Sequence, residues 1–340
     1  MDELLRVRDL KVTFPGPRRG FGPFGKRAKV RAVDGVDLDI AAGRTVGLVG
    51  ESGCGKSTLG RALLRLSPVR SGTIAFEGQN LLELDAASLR AVRQRLQIIF
   101  QDPYASLDPR RSIGYQVGEP LLLGGMDEAS RNARVSELLE LVGLDPARAN
   151  RYPHEFSGGQ RQRVGIARAL ATSPRLIVAD EPVSALDVSV QAQVINLLRA
   201  LRAKMQLSML FISHDLRVVR YLSDEVVVMY LGRVVESAPV DALFDDPRHP
   251  YTRALLSAVP RARWDTGAAE IIRLEGEVPS PLDLPSGCRF ASRCSFVRAV
   301  CRERDPVLAP IDVGMPEHQV ACHLVKADRG GDADAAFEAN

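Results

Sequence analysis

Short alternations of apolar and polar residues in the first quarter of the chain predict β-strands. Residues 4–14 alternate in this way, and 36–40 repeat the pattern before the continuous apolar run at 45–49. A further strand is predicted at 72–78, between glycines that favour turns. Residues 15–29 are rich in Pro, Gly and Arg without periodicity, so an exposed loop or a loose hairpin is expected there.

The period of the pattern then changes. Residues 112–171 carry apolar side chains at the spacing of helices, and so do residues 187–204. Apolar runs of strand length lie around them, at 96–100, 176–179, 209–212 and 225–229. The run at 176–179 is continuous, as expected for the centre of a parallel sheet. This alternation predicts an α/β core with an inserted helical subdomain at about 102–172.

A glycine-rich loop follows the apolar run at 45–49. Its sequence, Gly50-Glu51-Ser52-Gly53-Cys54-Gly55-Lys56-Ser57-Thr58, fits the pattern G-x-x-x-x-G-K-[ST] and leads into a helical pattern. A strand, a glycine turn and a helix start together direct backbone N–H groups and the helix dipole at one anion. Lys56 is placed to reach the β- and γ-phosphates, and the Ser57 hydroxyl to bind Mg²⁺. The loop therefore predicts binding of a nucleoside triphosphate.

Two carboxylates, Asp180 and Glu181, directly follow the continuous run at 176–179. Ligands of open parallel sheets bind at the carboxyl ends of the strands. Asp180 is expected to hold Mg²⁺ through a water, and Glu181 to polarise the water that attacks the γ-phosphate. An exposed turn is the alternative, but the phosphate loop upstream favours the catalytic interpretation.

A second anion site is predicted at Ser157-Gly158-Gly159-Gln160. A hydroxyl and two glycines stand there before the helical run at 161–171. A simple helix-capping turn is the alternative interpretation of the tetrapeptide.

Length and composition set outer limits. The 340 residues, 45% of them apolar, are enough for two domains, and a net charge of +3 argues against wholesale nucleic-acid binding. No apolar run approaches the roughly 18 residues of a membrane span. The first residues do not form a signal peptide, so a cytoplasmic chain that reaches a membrane only through a partner is expected.

Four of the five cysteines lie late in the chain, at Cys288, Cys294, Cys301 and Cys322. The absence of a C-x2-C pair disfavours a zinc finger or ribbon. Four thiolates in a compact, loop-rich module suit a [4Fe–4S] cluster, with zinc and metal-free reduced thiols as alternatives. Cys54 belongs to the phosphate loop. A C-terminal extension is predicted at 261–326, and a disordered polar tail at 327–340.

The motifs, in this order, resemble those of the ATP-binding subunits of ATP-binding cassette (ABC) transporters over residues 1–260. Gly50–Ser57 is similar to the Walker A loop, and Gln101 to the glutamine of the Q-loop. Ser157–Gln160 is similar to the signature motif, although Phe156 precedes it where leucine is commoner.

The later motifs are also similar to that family. Asp180 resembles the Walker B aspartate and Glu181 the catalytic acid. Ser184-Ala185-Leu186-Asp187 is similar to the D-loop, and His214 to the switch histidine.

The resemblance implies a fold, an activity and a site. The fold is an ABC-type P-loop ATPase core, a mixed sheet with flanking helices, with an inserted helical subdomain and a small cysteine-containing extension. The activity is ATP hydrolysis in a head-to-tail dimer, with Lys56, Gln101, Glu181 and His214 as catalytic residues. Phe14 is the candidate for stacking on adenine, with burial in the core as the alternative.

Two ligand sets complete the implied site. Mg²⁺ is assigned to Ser57, Gln101 and Asp180. The residues assigned to ATP are Phe14, Gly50, Glu51, Ser52, Gly53, Cys54, Gly55, Lys56, Ser57, Thr58, Gln101, Asp180, Asp187 and, from the opposite subunit, Ser157, Gly159 and Gln160.

Finer similarities point to the dipeptide/oligopeptide importer ATPases, and within them to the F-type subunit. The matching segments are 50–55, 100–109 and His249-Pro250-Tyr251-Thr252, and the cysteine module resembles the extension of that group, which supports a [4Fe–4S] cluster. The implied partners are a paralogous D-type ATPase in a heterodimer, two transmembrane permease subunits and a substrate-binding protein, with no nucleic acid. The implied place is the cytoplasmic face of the cell membrane, held by the permease subunits.

Three questions stay open. Nickel, glutathione and murein-peptide importers share these features, so the cargo is not fixed. A non-transport ABC ATPase acting on nucleic acid or ribosomes would favour two cassettes or a coiled coil, and this chain has one cassette without heptads. In an ATP-binding regulator that does not hydrolyse ATP, Glu181 or His214 would be expected to be replaced, and both are present here.

The segment 101–109, with Tyr104, Ala105 and Leu107, is the predicted docking site for a membrane subunit.

Overall fold

The computed structural model describes residues 3–19, 26–259, 271–312 and 314–325. The strands in these ranges are β1 (Glu3–Arg19), β2 (Lys26–Ala41), β3 (Thr45–Val49), β4 (Ser71–Phe76), β5 (Gln79–Asn80), β6 (Leu96–Ile99), β7 (Leu176–Asp180), β8 (Ser208–Ile212), β9 (Glu225–Tyr230), β10 (Arg233–Pro239), β11 (Ala309–Pro310) and β12 (Gln319–Val320).

The helices in the same ranges alternate with these strands. They are α1 (Lys56–Leu63), α2 (Ala86–Arg93), α3 (Ile113–Leu123), α4 (Glu128–Leu141), α5 (Gly158–Leu170), α6 (Val188–Met205), α7 (Leu216–Leu222), α8 (Val240–Asp245), α9 (Pro250–Ser257) and α10 (Ala299–Glu303). Two short 3-10 turns lie at Pro146–Arg148 and Pro153–Glu155. In the part of the chain so described, every helix is too short or too polar to cross a lipid bilayer.

The chain forms two compact units, each discontinuous in sequence. The first unit comprises Met1–Leu5, Ile40–Thr45 and Phe76–Ser213, and the second comprises Arg6–Asp39, Val46–Ala75 and His214–Asn340.

The first unit contains three parallel strands and the predicted helices. β7 pairs with β6 on one side and β8 on the other, both in parallel, with Asp180 opposite Ile212. All five residues of β7 and of β8 are buried, which explains why their sequences lack polar alternation. The prediction of central parallel strands is confirmed here.

Helices α3, α4 and α5 of the first unit pack on one another. Hydroxyl and carboxylate side chains start two of them: the Ser112 hydroxyl accepts from the Tyr115 N–H, and the Asp127 carboxylate accepts from the Ser130 N–H. Helix spacing buries one face of α4, including Val135, as the sequence predicted.

The second unit contains the phosphate-loop strand. β3 pairs in parallel with β9, and β9 pairs antiparallel with β10, which carries an irregularity between Val234 and Glu236. A second sheet has β1 between β2 and β4. Of the exposed loop and the loose hairpin expected at 15–29, the hairpin agrees better with the structure, because β1 extends to Arg19, β2 begins at Lys26 and the two strands are neighbours in this sheet; residues 20–25 lie outside the described ranges.

The C-terminal extension joins the second unit through strand pairing and a buried carboxylate. β12 pairs with β10, placing Val320 opposite Glu236. Glu236 is fully buried and accepts from the backbone N–H groups of Arg248 (2.7 Å) and His249 (2.9 Å) and from His318 Nε2 at 2.8 Å. The predicted limits of the extension stay predictions, because 260–270 and 326–340 lie outside the described residues.

Replacing Glu236 by alanine is expected to lower the free energy of unfolding by about 3 kcal/mol or more. The variant leaves several buried donors without an acceptor, and each orphaned donor costs about 1–3 kcal/mol. Urea unfolding followed by circular dichroism measures the difference. The control is Asp245→Ala, which removes an exposed ion pair with Arg220 at 3.5 Å and should change stability by less than about 1 kcal/mol. Equal losses in both variants would contradict the assignment.

Candidate nucleotide site

The phosphate loop follows β3 and depends on glycines with positive φ angles. Gly50, Gly53 and Gly55 have φ angles of 148°, 78° and 110°. A Cβ atom on Gly50 would lie 2.2 Å from the Met229 carbonyl oxygen, and one on Gly55 would lie 2.1 Å from the Ala32 carbonyl oxygen. Two of the predicted glycines are therefore required both by backbone conformation and by close packing.

Helix α1 begins at Lys56, directly after the loop. Gly55 has no side chain, so no side-chain cap bonds to the first turn of this helix. The Lys56 side chain is 5% exposed, and its Nζ donates to the carbonyl oxygens of Gly50 (2.7 Å) and Glu51 (3.0 Å). Uncapped N–H groups, the positive helix end and an ammonium group form a donor set that fits a triphosphate.

The remaining loop positions differ in exposure. Ser52 and Gly53 are exposed at the tip, while Ser57 and Thr58 lie half-buried in the first turn of α1. Cys54 is buried, and burial raises the pKa of its thiol, whose Sγ lies 3.8 Å from Lys56 Nζ. Cys54 therefore packs the inside of the loop as a neutral thiol.

Glu51 makes contacts that the sequence did not reveal. Its carboxylate is bound by Arg293, with Nη1 2.7 Å from Oε2 and Nη2 3.1 Å from Oε1. Its backbone N–H donates to the Tyr251 hydroxyl at 2.8 Å. Sequence reasoning missed Arg293 and Tyr251, although both stand inside segments already known to resemble the peptide-importer group.

The first unit brings together two predicted catalytic residues. Asp180 ends β7 and is 1% exposed. Glu181 follows with a φ angle of 45°, and its N–H donates to the Ile212 carbonyl oxygen at 3.0 Å. Gln101 Nε2 donates to Glu181 Oε2 at 3.1 Å. A non-glycine residue in the left-handed region costs about 1–3 kcal/mol, and the surrounding contacts must hold it there.

The Ser157–Gln160 segment is a capped helix start with an exposed hydroxyl. The Ser157 side chain accepts from the Gln160 N–H at 3.3 Å, and Gln160 Oε1 accepts from the Ser157 N–H at 3.0 Å. Gly159 is buried, since a Cβ there would lie 2.3 Å from Val190 Cγ1. The capping turn considered as an alternative is present, and it leaves the first residue of the motif facing solvent.

Three further predicted residues have less distinctive surroundings. Asp187 is exposed at the start of α6 and makes no side-chain capping bond. His214 is exposed just after β8, and Phe14 is half-buried in β1. Their proposed contacts with ATP stay predictions.

The four late cysteines do not form a metal site in the described residues. Burial first, and then the neighbouring thiols, raise the pKa of Cys288 to about 12 and that of Cys294 to about 11. The thiols of Cys301 and Cys322 contribute to both shifts. No three His, Cys, Asp or Glu side chains in the described ranges are grouped to hold a metal ion. The predicted [4Fe–4S] cluster, and the zinc alternative, are therefore not supported by this arrangement.

Replacing Gly55 by alanine is expected to abolish MgATP binding, because the new Cβ would collide with the Ala32 carbonyl oxygen. Equilibrium binding of a fluorescent ATP analogue measures this. The matched control is Gly78→Ala, at a glycine with a φ angle of 77° and no atom within 4 Å of the added Cβ. Gly78→Ala should bind as the natural chain does, and a similar loss in both variants would show that the collision is not the cause.

Comparisons with known proteins identify the family of this chain. A family model described as ABC transporter matches residues 33–184, and one described as oligopeptide/dipeptide transporter, C-terminal region, matches residues 235–301. The oligopeptide transport ATP-binding protein AppF of Bacillus subtilis (strain 168) is 50% identical over 327 residues, covering 95% of this chain and 98% of the relative.

Two further comparisons extend the result. The dipeptide transport ATP-binding protein DppF of Escherichia coli (strain K12) is 47% identical over 326 residues, covering 96% of this chain and 95% of the relative. A solved dimeric ATP-binding cassette in a post-hydrolysis state, bound to ADP and Pi, has a TM-score of 0.61 at 28% identity, covering 70% of this chain and 99% of its own. This chain therefore belongs to the ABC transporter ATPases, in the group of oligopeptide and dipeptide transport ATP-binding proteins.

Proposed function

We propose that this chain is the subunit that hydrolyses ATP to power import of dipeptides or oligopeptides through a membrane transporter. The carrying observation is the similarity over 95% of the chain to an oligopeptide transport ATP-binding protein, including the C-terminal region characteristic of such transporters. The similarity favours peptides over the nickel, glutathione and murein-peptide alternatives. It also favours transport over a nucleic-acid or ribosome function.

Binding of ATP is assigned to the phosphate loop. The loop N–H groups and the Lys56 ammonium would bind the β- and γ-phosphates, and Ser57, Gln101 and Asp180 would hold Mg²⁺. Bound Mg²⁺ supplies positive charge that balances the phosphate oxygens. Lys56 Nζ is held at the loop by the carbonyl oxygens of Gly50 and Glu51.

Hydrolysis is assigned to Glu181, assisted by its neighbours. The Glu181 carboxylate orients the attacking water and accepts its proton. The hydrogen bond from Gln101 fixes the direction of that carboxylate. His214 contacts the γ-phosphate. In the dimer, the exposed Ser157 hydroxyl and the N-terminus of α5 meet the nucleotide of the opposite subunit, and Asp187 borders the same interface.

The proposed assembly couples this chain to membrane subunits. Its partners are a paralogous D-type ATPase in a head-to-tail heterodimer, two permease subunits and a substrate-binding protein, at the cytoplasmic face of the membrane. Tyr104 is 60% exposed and stacks under the Arg161 guanidinium, and Ala105 is exposed beside it. Leu107 is wrong as a docking residue, because it is 4% exposed and belongs to the core.

Replacing Glu181 by glutamine is expected to lower ATP turnover about 100-fold or more while leaving the affinity for MgATP unchanged, because the amide cannot take the proton of the attacking water. Phosphate release and nucleotide binding are measured on the reconstituted transporter, with the partner ATPase inactivated so that its site carries no flux.

The control for this measurement is Glu140→Gln, at an exposed position of α4. It should keep the natural turnover. Full turnover in Glu181→Gln would rule out Glu181 as the catalytic base, and absence of ATP binding by the natural chain would reject the proposed function itself.

Cysteines placed at Tyr104 and Ala105 are expected to form crosslinks to a permease subunit, because these exposed side chains follow the Q-loop glutamine. Bifunctional thiol reagents and mass spectrometry of isolated membranes give the partner. A cysteine at Glu140 serves as the exposed control and should give no such product. Crosslinks from 104 and 105 to the paired ATPase alone would place the permease dock elsewhere.

A further inference from the structure

The C-terminal extension contributes an arginine to the phosphate loop. Arg293 grips both carboxylate oxygens of Glu51 in the fork geometry that guanidinium and carboxylate groups share. The Arg293 side chain is 7% exposed and that of Glu51 26% exposed. Such a partly desolvated, bidentate pair is stronger than an ordinary surface ion pair. The hydrogen bond to Glu51 also raises the pKa of Arg293, so the guanidinium stays charged.

A buried aromatic cluster holds the groups that contact Glu51. The Tyr230 ring lies 4.7 Å from that of Tyr251 and 5.4 Å from that of Phe290, measured between centroids. The Tyr251 hydroxyl accepts from the Glu51 N–H, and the Tyr230 hydroxyl lies 3.5 Å from Arg293 Nη1. The cluster thereby fixes the backbone of Glu51 and supports the arginine that binds its side chain.

Arg289, the residue before Phe290, also binds the extension to other segments of the second unit. Arg289 donates to the Leu231 carbonyl oxygen and to the Asp34 carboxylate, and its side chain is buried. Gly287 packs so tightly that a Cβ would lie 2.4 Å from the Cys301 carbonyl oxygen. The segment that carries Arg293 therefore has little freedom to move away from the loop.

Without Arg293, the charge of Glu51 would weaken phosphate binding by the loop. Its carboxylate stands one residue after Gly50, in a loop whose task is to bind a polyanion. Two unit charges at a distance of several ångströms repel each other by about 1–4 kcal/mol in a surface environment. Arg293 cancels this repulsion and draws the carboxylate towards the extension, while the Tyr251 contact holds the backbone.

We propose that Arg293 is a positioning residue for ATP binding, supplied by the C-terminal extension, which neutralises Glu51 and so keeps the phosphate loop receptive to the triphosphate. The inference rests on the proposed function, in which the loop binds MgATP. It assigns to the extension a direct share in nucleotide affinity.

Replacing Arg293 by glutamine should raise the Kd for MgATP about tenfold, which corresponds to the loss of about 1.4 kcal/mol. The double variant Arg293→Gln with Glu51→Gln should return the Kd to within about threefold of the natural value, because no carboxylate remains to repel phosphate. A purely structural arginine predicts no such recovery. Binding of a fluorescent ATP analogue to the purified full chain gives the affinities, and thermal unfolding without nucleotide gives the stability.

The matched control is Arg302→Gln, an exposed arginine of the same extension, which should bind MgATP as the natural chain does. If Arg293→Gln does not fold, Arg293→Met takes its place. It keeps the apolar stem of the side chain but not the charge, and its Kd should rise about tenfold.

The outcomes separate the inference from the function on which it rests. No MgATP binding by the natural chain would reject the proposed function. Natural binding together with an unchanged Kd in Arg293→Gln, or in Arg293→Met where that variant is used, would overturn the inference. An affinity that stays low in the folded double variant would overturn it too, since the defect would then be independent of the Glu51 charge.

Discussion

A loop that binds phosphate through its backbone must hold several N–H groups towards one point, although they have no partners of their own in that direction. Such a conformation survives only if the atoms around it fix it. In this protein the Met229 and Ala32 carbonyls lie so near Gly50 and Gly55 that no side chain fits. The Cys54 thiol fills the inside, and Lys56 bonds to the loop carbonyls. The loop is thus shaped by its surroundings more than by its own composition.

The carboxylates of Asp180 and Glu181 are positioned by other constraints than the phosphate loop. All residues of β7 and β8 are buried, and Asp180 is the last residue of β7. The chain then turns at once, and Glu181 takes a left-handed conformation while its N–H stays bonded to Ile212. The hydrogen bond from Gln101 adds a second constraint on the side chain. These two hydrogen bonds hold the strained backbone of Glu181 and fix the direction of its carboxylate.

Local features of the chain were predictable, and contacts between distant segments were not. The glycine loop, the continuous run of β7 and the amphipathic helices α3 to α5 follow from short-range pattern, because burial on one or both faces leaves a periodic trace. The strands that extend into 15–29 lacked this trace, since Pro, Gly and Arg obscure the alternation. Leu107 was misjudged because an exposed turn and a buried apolar side chain occur within the same four residues.

Distances along the sequence did not reveal which side chains of the second unit meet. Arg293 lies 242 residues from Glu51 in sequence, and nothing near either residue announces the pair. The spacing of the late cysteines suggested a cluster that the described residues do not support. Four thiols in a short segment suggested ligands, yet spacing constrains only how far apart side chains can be, and their directions in the folded module depend on the turns between them.

The long separation between Glu51 and Arg293 also has a consequence for biosynthesis. At roughly 5–20 residues per second, a ribosome needs about 10–50 s after making Glu51 to make the arginine that neutralises it. During that time the phosphate loop exists with an unbalanced carboxylate, and β10 has not yet received its partner β12. The nascent chain therefore acquires its finished ATP site late in translation, after the strands and helices of the cassette have been synthesised.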